Sequence, residues 1–335
     1  MTARRPRHSA FRMAVAAGAL ALVAACGSGG GDDSGDGWTY TDDVGTEISR
    51  DAVPERIVAH KDSAAALADM GLGDKVVGVF GAPTGEETEY ALQSPNLDLT
   101  SVEDVTGGGD YGDIDLEKLA GLEPDLVVTT TYGGDTLWYI NDEVRQRLEG
   151  SFDVAAINVE GETVEGLLEN SERLATALGA DESDFEEGRA ALAEAGERVR
   201  EVAADAGDPS ILAVAPSAET LYVANAPAYI DLLYLRDEVG LDVITPDEGD
   251  VDEGGYWHNL SWENADTYAD AQIAMWDTRG GSANVDLLED QPVWQRVQAA
   301  ADDAYVPWRV EVAPSARGYA DSLESFADDL ERLQG

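Results

Sequence analysis

Glu182-Ser-Asp-Phe-Glu-Glu-Gly-Arg-Ala-Ala-Leu-Ala-Glu-Ala-Gly-Glu-Arg-Val-Arg-Glu-Val-Ala-Ala-Asp-Ala206 contains no proline, is rich in Ala, Glu and Arg, and nearly lacks β-branched residues. Those residue types lose little side-chain freedom in a helix, so the stretch reads as one helix, long for a globular protein. What lies on either side decides the fold. Before it, short apolar runs at 56–59, 75–80, 125–130 and 154–159 read as strands, and 63–70, 116–121, 137–148 and 163–178 read as helices. After it, strands are expected at 211–215, 272–276 and 304–306, and helices at 228–239 and 319–333. This βαβα alternation predicts parallel sheets covered by helices. The halves also echo each other: 115–128 and 261–274 each carry an early Glu, a short helix, and then an Asp opening a strand. The expectation is therefore an α/β protein of two similar lobes, 38–180 and 208–335, joined by a stiff rod at 181–207.

The chain has 335 residues, 44% of them hydrophobic, enough to bury a sizeable core in two or so globular units. It carries 21 Lys+Arg against 68 Asp+Glu, a net charge of -47. Such a surface repels phosphate backbones, which argues against a nucleic-acid partner, and it favours a soluble monomer. The excess of acid suits either a saline habitat or an acidic exported proteome. One Cys rules out a disulfide framework.

The start of the chain reads as an export signal. Arg4, Arg5, Arg7 and Arg12 precede the apolar run 13–25, which is too short to span a bilayer. Val23-Ala24-Ala25-Cys26 matches a bacterial lipobox, in which the thiol is lipid-modified before cleavage; an ordinary cleavage site beside a free thiol is the other reading. The Gly-rich tether 26–37 that follows suits a flexible leash and favours the lipid anchor on Cys26. Removing 1–25 would leave 17 basic against 68 acidic residues, a net charge of -51.

In open α/β sheets, ligands sit outside the carboxyl ends of strands. After the first strand come His60 and Lys61, the latter one of three lysines and placed where a cation would meet an anionic ligand. Lys61 as a solvated loop charge and His60 as a satisfied structural histidine are equally open readings. After the strand at 125–130 come Tyr132, Gly133 and Gly134, with Trp138 and Tyr139 at the head of the next helix; the aromatics offer apolar contact to a bulky ligand or simply fill core. In the second half, Gly254-Gly255-Tyr256-Trp257-His258-Asn259 is a loop loaded with amphipathic rings. Arg279, after the strand at 272–276, offers a fork of donors to hydroxamate or carboxylate oxygens, or pairs with Asp277. Trp308 and Arg309 follow the strand at 304–306, Trp308 as a cleft wall or as ordinary packing.

Several segments in order resemble a known family: WTYTDDVGTEISRDAVPERIVAHKDSAAALADMG at 38–71, DIDLEKLAGLEPDLVVTT at 113–130, LWYI at 137–140, GGYWHNLSWENADTYADAQIAMWDTR at 254–279 and QPVWQRVQAAADDAYVPW at 291–308. The sequence resembles the actinobacterial iron-siderophore type of ABC transporter substrate-binding lipoproteins, within the class III ferric siderophore/cobalamin binding family. The resemblance implies two Rossmann-like lobes joined by a single long α-helix, with little hinge bending and a ligand cleft between the lobes. It implies a ferric siderophore as ligand and delivery to an ABC permease driven by its ATPase, with the membrane reached only through the lipid anchor. Haem, cobalamin or another bulky chelate is the alternative cargo. The resemblance also implies that Glu117 and Glu263 dock into arginine pockets of the permease, a role compatible with the helix-dipole preference for acids at a first turn.

The motifs give no support to an exported envelope enzyme, the reading outside transport. There is no G-x-S-x-G elbow, P-loop or H-E-x-x-H. His60 and His258, the histidines left after cleavage, lack ligand-like spacing, so no resident metal or cofactor is expected.

Overall fold

The apolar runs form strands because helices cover them on both faces, as continuous hydrophobic strands require. The computed structural model describes residues 37–81, 96–98, 102–109, 111–133 and 136–335. The expected signal segment, Cys26, most of the tether and Gly134 lie outside the described residues.

A hairpin of β1 (Trp38–Thr41) and β2 (Glu47–Arg50) comes first; its alternation turns Trp38 and Tyr40 inward. Next come β3 (Ile57–His60), α1 (Lys61–Asp69), β4 (Val76–Phe80), β5 (Glu103–Asp104), α2 (Leu116–Gly121), β6 (Leu126–Thr131), α3 (Asp142–Glu149), β7 (Val154–Asn158) and α4 (Val164–Ala177). Their five strands pair in parallel in the order β5-β4-β3-β6-β7. The order reverses at β3, which opens a crevice beyond the carboxyl ends of β3 and β6.

The expected long helix is α5 (Glu182–Asp205), started by Asp181, whose side chain accepts from the Ser183 amide. Beyond it lie β8 (Ile211–Pro216), β9 (Thr220–Ala224), α6 (Ile230–Tyr234), β10 (Trp257–Ser261), β11 (Ile273–Asp277), α7 (Ala283–Glu289), α8 (Gln298–Ala301), β12 (Tyr305–Trp308) and α9 (Ala316–Gln334). The second sheet has the order β10-β9-β8-β11-β12 and reverses at β8 as the first does at β3. In each sheet an edge strand leads to a short helical turn carrying a glutamate, and then to the strand beside the central one: β5, Glu117, β6 in the first, and β10, Glu263, β11 in the second.

Two expectations are corrected. The second sheet is mixed, because β9 runs antiparallel to both β8 and β10. Ser217 closes the β8–β9 turn, its amide donating to the Thr220 carbonyl at 2.8 Å, and a tight turn of this kind can only join antiparallel strands. The helix expected at 137–148 begins only at Asp142. Leu137 bridges Thr131, Tyr139 has φ 59, and the Asn141 side chain caps the helix by accepting from the Val144 amide. Tyr139 thus holds a left-handed conformation that non-glycine residues adopt at a cost.

One apolar core runs through both sheets, joining Ile57 and Val79 to Leu192 and Val199 of α5, Met275 and Val306 of the second sheet, and Phe326 of α9. Separate clusters fill the remaining faces, around Leu119 and Leu148 in the first sheet and around Leu212 and Trp294 in the second. The last helix returns along the connecting one: Arg198 of α5 donates to Glu324 and Asp328 of α9 at 2.5 Å each. The Ser315 hydroxyl, which caps α9, also donates to Asp69 of α1 at 2.6 Å, so α9 touches the first lobe as well.

Candidate ligand site

The crevice of the first lobe is built on the carboxyl end of β3, where Ile57–His60 is wholly buried. His60 is 1% exposed and packs its ring 5.7 Å from Phe80 and 5.9 Å from Tyr139. Gly81 turns the chain away at φ +70, and a Cβ there would lie 2.7 Å from the His60 ring. Burial, helped by the neighbouring Lys61 charge, pushes the imidazole down to about 3, so it is neutral across the physiological range. His60 is thus packed into the first lobe, with its Nδ1 buried and without a hydrogen-bond partner among the described residues.

Lys61, one residue on, is turned toward the other lobe. Its ammonium donates to Asp62 at 2.9 Å and to Glu311, beyond β12, at 2.5 Å. Burial opposes the charge, but the two carboxylates outweigh it and hold Lys61 protonated above its usual range. Lys61 therefore already holds two counterions within the protein.

Aromatic rings form the walls. On the first lobe, Tyr132 and Trp138 lie 4.9 Å apart, and exposed Tyr111 stands edge-on to Tyr139 at 4.8 Å and to Trp138 at 6.3 Å. On the second, Tyr229 sits at the centre of a cluster, 5.2 Å from Trp257, 5.8 Å from Tyr256 and 4.9 Å from Trp308. Trp308, readable from sequence as a cleft wall or as ordinary packing, is fully buried beneath Tyr229 and Trp257. Its indole finds its hydrogen-bond partner in half-buried Asp231 at 2.6 Å. Arg309 pairs with Asp329 of α9 at 3.3 Å. His258 leaves the group for a reason of parity: successive residues of β10 face opposite sides, so Trp257 joins the aromatic cluster while the His258 ring bonds the Tyr268 hydroxyl at 2.8 Å.

Arg279 follows β11 and stands beside a cavity of about 420 Å³ lined by Pro216, Tyr222, Trp257, Asp277, Arg279 and Asn284. Its side chain is partly exposed, while its partner Asp277 is buried. Nε and Nη2 donate to the Asp277 carboxylate, the shortest bond being 2.6 Å. Arg279 thus pairs with Asp277, and the pair fixes the guanidinium at the cavity edge. The two lobes meet electrostatically at Tyr111. Desolvation pushes its hydroxyl up to about 12, with Glu311 acting in the same direction and Arg279 and Lys61 against it. Glu117 and Glu263 are exposed, each in the first turn of its short helical segment.

Strand-end position and overall composition do not single out Tyr111, Tyr222, Tyr229, Glu311 or Asp231. Tyr111 carried a usable signal, since Gly107-Gly-Gly-Asp-Tyr111 repeats the glycine-then-aromatic composition of Gly254-Gly255-Tyr256. Glu311 carried none, because one acid among 68 is not distinctive.

Comparison with known proteins places this arrangement. Among solved structures, the chain is similar to DesE, a ferric-siderophore receptor protein from Streptomyces coelicolor, at 29% identity, with 88% of this chain and 98% of that one covered and a TM-score of 0.75. It is similar in fold to the petrobactin-binding protein YclQ from Bacillus subtilis (15% identity, 88% and 99% covered, TM-score 0.65). It is also similar in fold to the siderophore binding protein FhuD from Vibrio cholerae, solved with Fe3+-Desferal bound (14% identity, 83% and 98% covered, TM-score 0.62). Among curated proteins no relative matches the chain. The family described as periplasmic binding protein matches residues 57–306, from the first residue of β3 into β12. That match takes in both sheets and the helix between them, and the chain accordingly belongs to the periplasmic binding protein family.

Proposed function

We propose that this protein is the extracytoplasmic substrate-binding component of an ABC importer and captures a ferric siderophore between its lobes. The observation that carries this reading is the pairing of two aromatic walls, Tyr111, Tyr132 and Trp138 on one lobe and Tyr256 and Trp257 on the other, with Arg279 held at the cavity edge. Large rings give apolar contact to a bulky chelate, and a fixed guanidinium gives oriented donors to its iron-bound oxygens. The likeness to DesE supports the same ligand class.

Cys26 is the proposed lipid attachment, leaving the protein tethered outside the membrane as a monomer. Glu117 and Glu263 are the proposed contacts to the permease, which its ATPase drives. Each sits on an exposed turn at the equivalent place in its lobe, so one symmetric partner can meet both. The protein performs no chemistry on its cargo in this reading.

The test is tryptophan fluorescence titration against ferric hydroxamates, ferric catecholates, haem and cobalamin. Saturable quenching by a ferric siderophore with a dissociation constant in the micromolar range or below is the expected result. A Soret band after haem reconstitution, without siderophore binding, would move the cargo to haem. No response to any member of the panel would overturn the reading.

A further inference from the structure

The charges of the seam are already balanced, and slightly overbalanced, by the protein itself. Lys61 meets Asp62 and Glu311, and Arg279 meets Asp277, so two cations face three carboxylates. Asp231 adds a fourth carboxyl beneath the aromatic cluster. Of the Glu311 oxygens, only Oε2 is engaged by Lys61 among the described residues. Glu311 is also placed to act on both lobes: its carboxylate bonds Lys61 of the first and lies within electrostatic reach of Tyr111 there and of Arg279 on the second. An anionic ligand entering here must compete with carboxylates for both cations. A ligand bearing an ammonium group instead finds a partly free carboxylate and the negative faces of Tyr132, Trp138 and Trp257.

We propose that Glu311 sets the charge preference of the cleft, so that it accepts ferric chelates of zero or positive net charge and disfavours polyanionic ones. This rests on the siderophore reading above and narrows it: a ferric tris-hydroxamate, neutral at its iron centre, fits, and a trianionic ferric tris-catecholate does not. Glu311 acts here as a specificity-determining residue. Its role differs from that of Arg279, which orients whatever chelate is bound.

The test uses three ferric complexes of one linear tris-hydroxamate, identical at the metal and differing only in the cap on the terminal amine. A glycyl cap gives a net charge of +1, an acetyl cap 0 and a succinyl cap −1, at similar size. Each is titrated into the wild-type protein and into Glu311→Gln by tryptophan quenching, with circular dichroism to check the variant's fold. The wild type is expected to bind the glycyl and acetyl complexes more tightly than the succinyl complex. Glu311→Gln is expected to lose roughly tenfold in affinity for the glycyl complex, gain for the succinyl complex, and leave the acetyl complex nearly unchanged. Glu311→Asp, which keeps the charge, is expected to keep the wild-type order. A wild-type protein that binds all three alike, or prefers the succinyl complex, overturns the proposal and leaves the siderophore reading standing. Equal shifts of all three complexes in Glu311→Gln also overturn it. If the wild type binds none of them, nor any ferric siderophore of the broader panel, the siderophore reading itself falls. Should Glu311→Gln fail to fold, the wild-type order decides.

Discussion

The indole nitrogen of Trp308 donates a 2.6 Å hydrogen bond to the Oδ2 of Asp231, a carboxyl carried at the start of α6 and 77 positions earlier in the chain. Burial raises this carboxyl to about 6 even though the Trp308 bond favours its charged form. An unfolded aspartate titrates near 3.9. Below about pH 4 both states hold the proton. Between about 4 and 6 only the folded state keeps it, and above 6 the folded state carries a poorly solvated charge. The stability contributed by this group is therefore complete below the unfolded value and lost as pH rises through about 6.

Asp231→Asn, which still offers Trp308 an acceptor, is expected to gain on the wild type as pH rises. Urea unfolding at pH 4.5 and pH 7.5 should show the difference in stability shifting toward the variant by about 1–3 kcal/mol at the higher pH. An identical difference at both pH values would refute the assignment.

Arg279→Ala removes the fork at the cavity edge and strips buried Asp277 of its cation. Affinity for a ferric hydroxamate is expected to fall by about 1–3 kcal/mol, with a lower melting temperature from the stranded carboxylate. A titration showing unchanged affinity would remove Arg279 from the site.

Changing Glu117 and Glu263 together to Arg is expected to leave the dissociation constant of the ligand intact, since both residues are exposed on short turns outside the aromatic walls. Cellular uptake of the ferric chelate should be lost. Uptake at the wild-type rate would sink the docking assignment.

Gly81→Ala places a Cβ at φ +70 and 2.7 Å from the ring of His60. The backbone conformation alone costs about 1–2 kcal/mol for a residue with a side chain, and the clash adds to it. Thermal unfolding should show the loss. Weaker ligand binding should accompany it, because His60, Tyr139 and Tyr111 touch in sequence from that point to the cleft.

The fold was readable because its central strands are continuous apolar runs and its linking helix has neither proline nor many β-branched residues. β9 escaped because Thr220–Ala224 is a short run following a turn closed by Ser217, which joins strands without the helix that marks a crossover. The strand-end rule put Tyr132, Trp138 and Arg279 just beyond β6 and β11, since it depends only on topology. It could not orient His60 or His258, where a shift of one residue separates cleft from interior. Nor could it foresee the fate of Lys61, whose decisive partner Glu311 lies 250 positions away. Local pattern carries parity poorly and long-range charge pairing not at all.

The pairing of α5 with α9 governs when this protein can become itself. Arg198 and Glu324 are 126 positions apart, and the whole second sheet is laid down between them. The linking helix emerges early but must wait, its apolar stripe uncovered, until nearly the last residues have been made. Cover for α5 therefore depends on the tail of the second half, contacts of such long range form slowly, and shortening that tail is expected to leave the apolar stripe of α5 exposed.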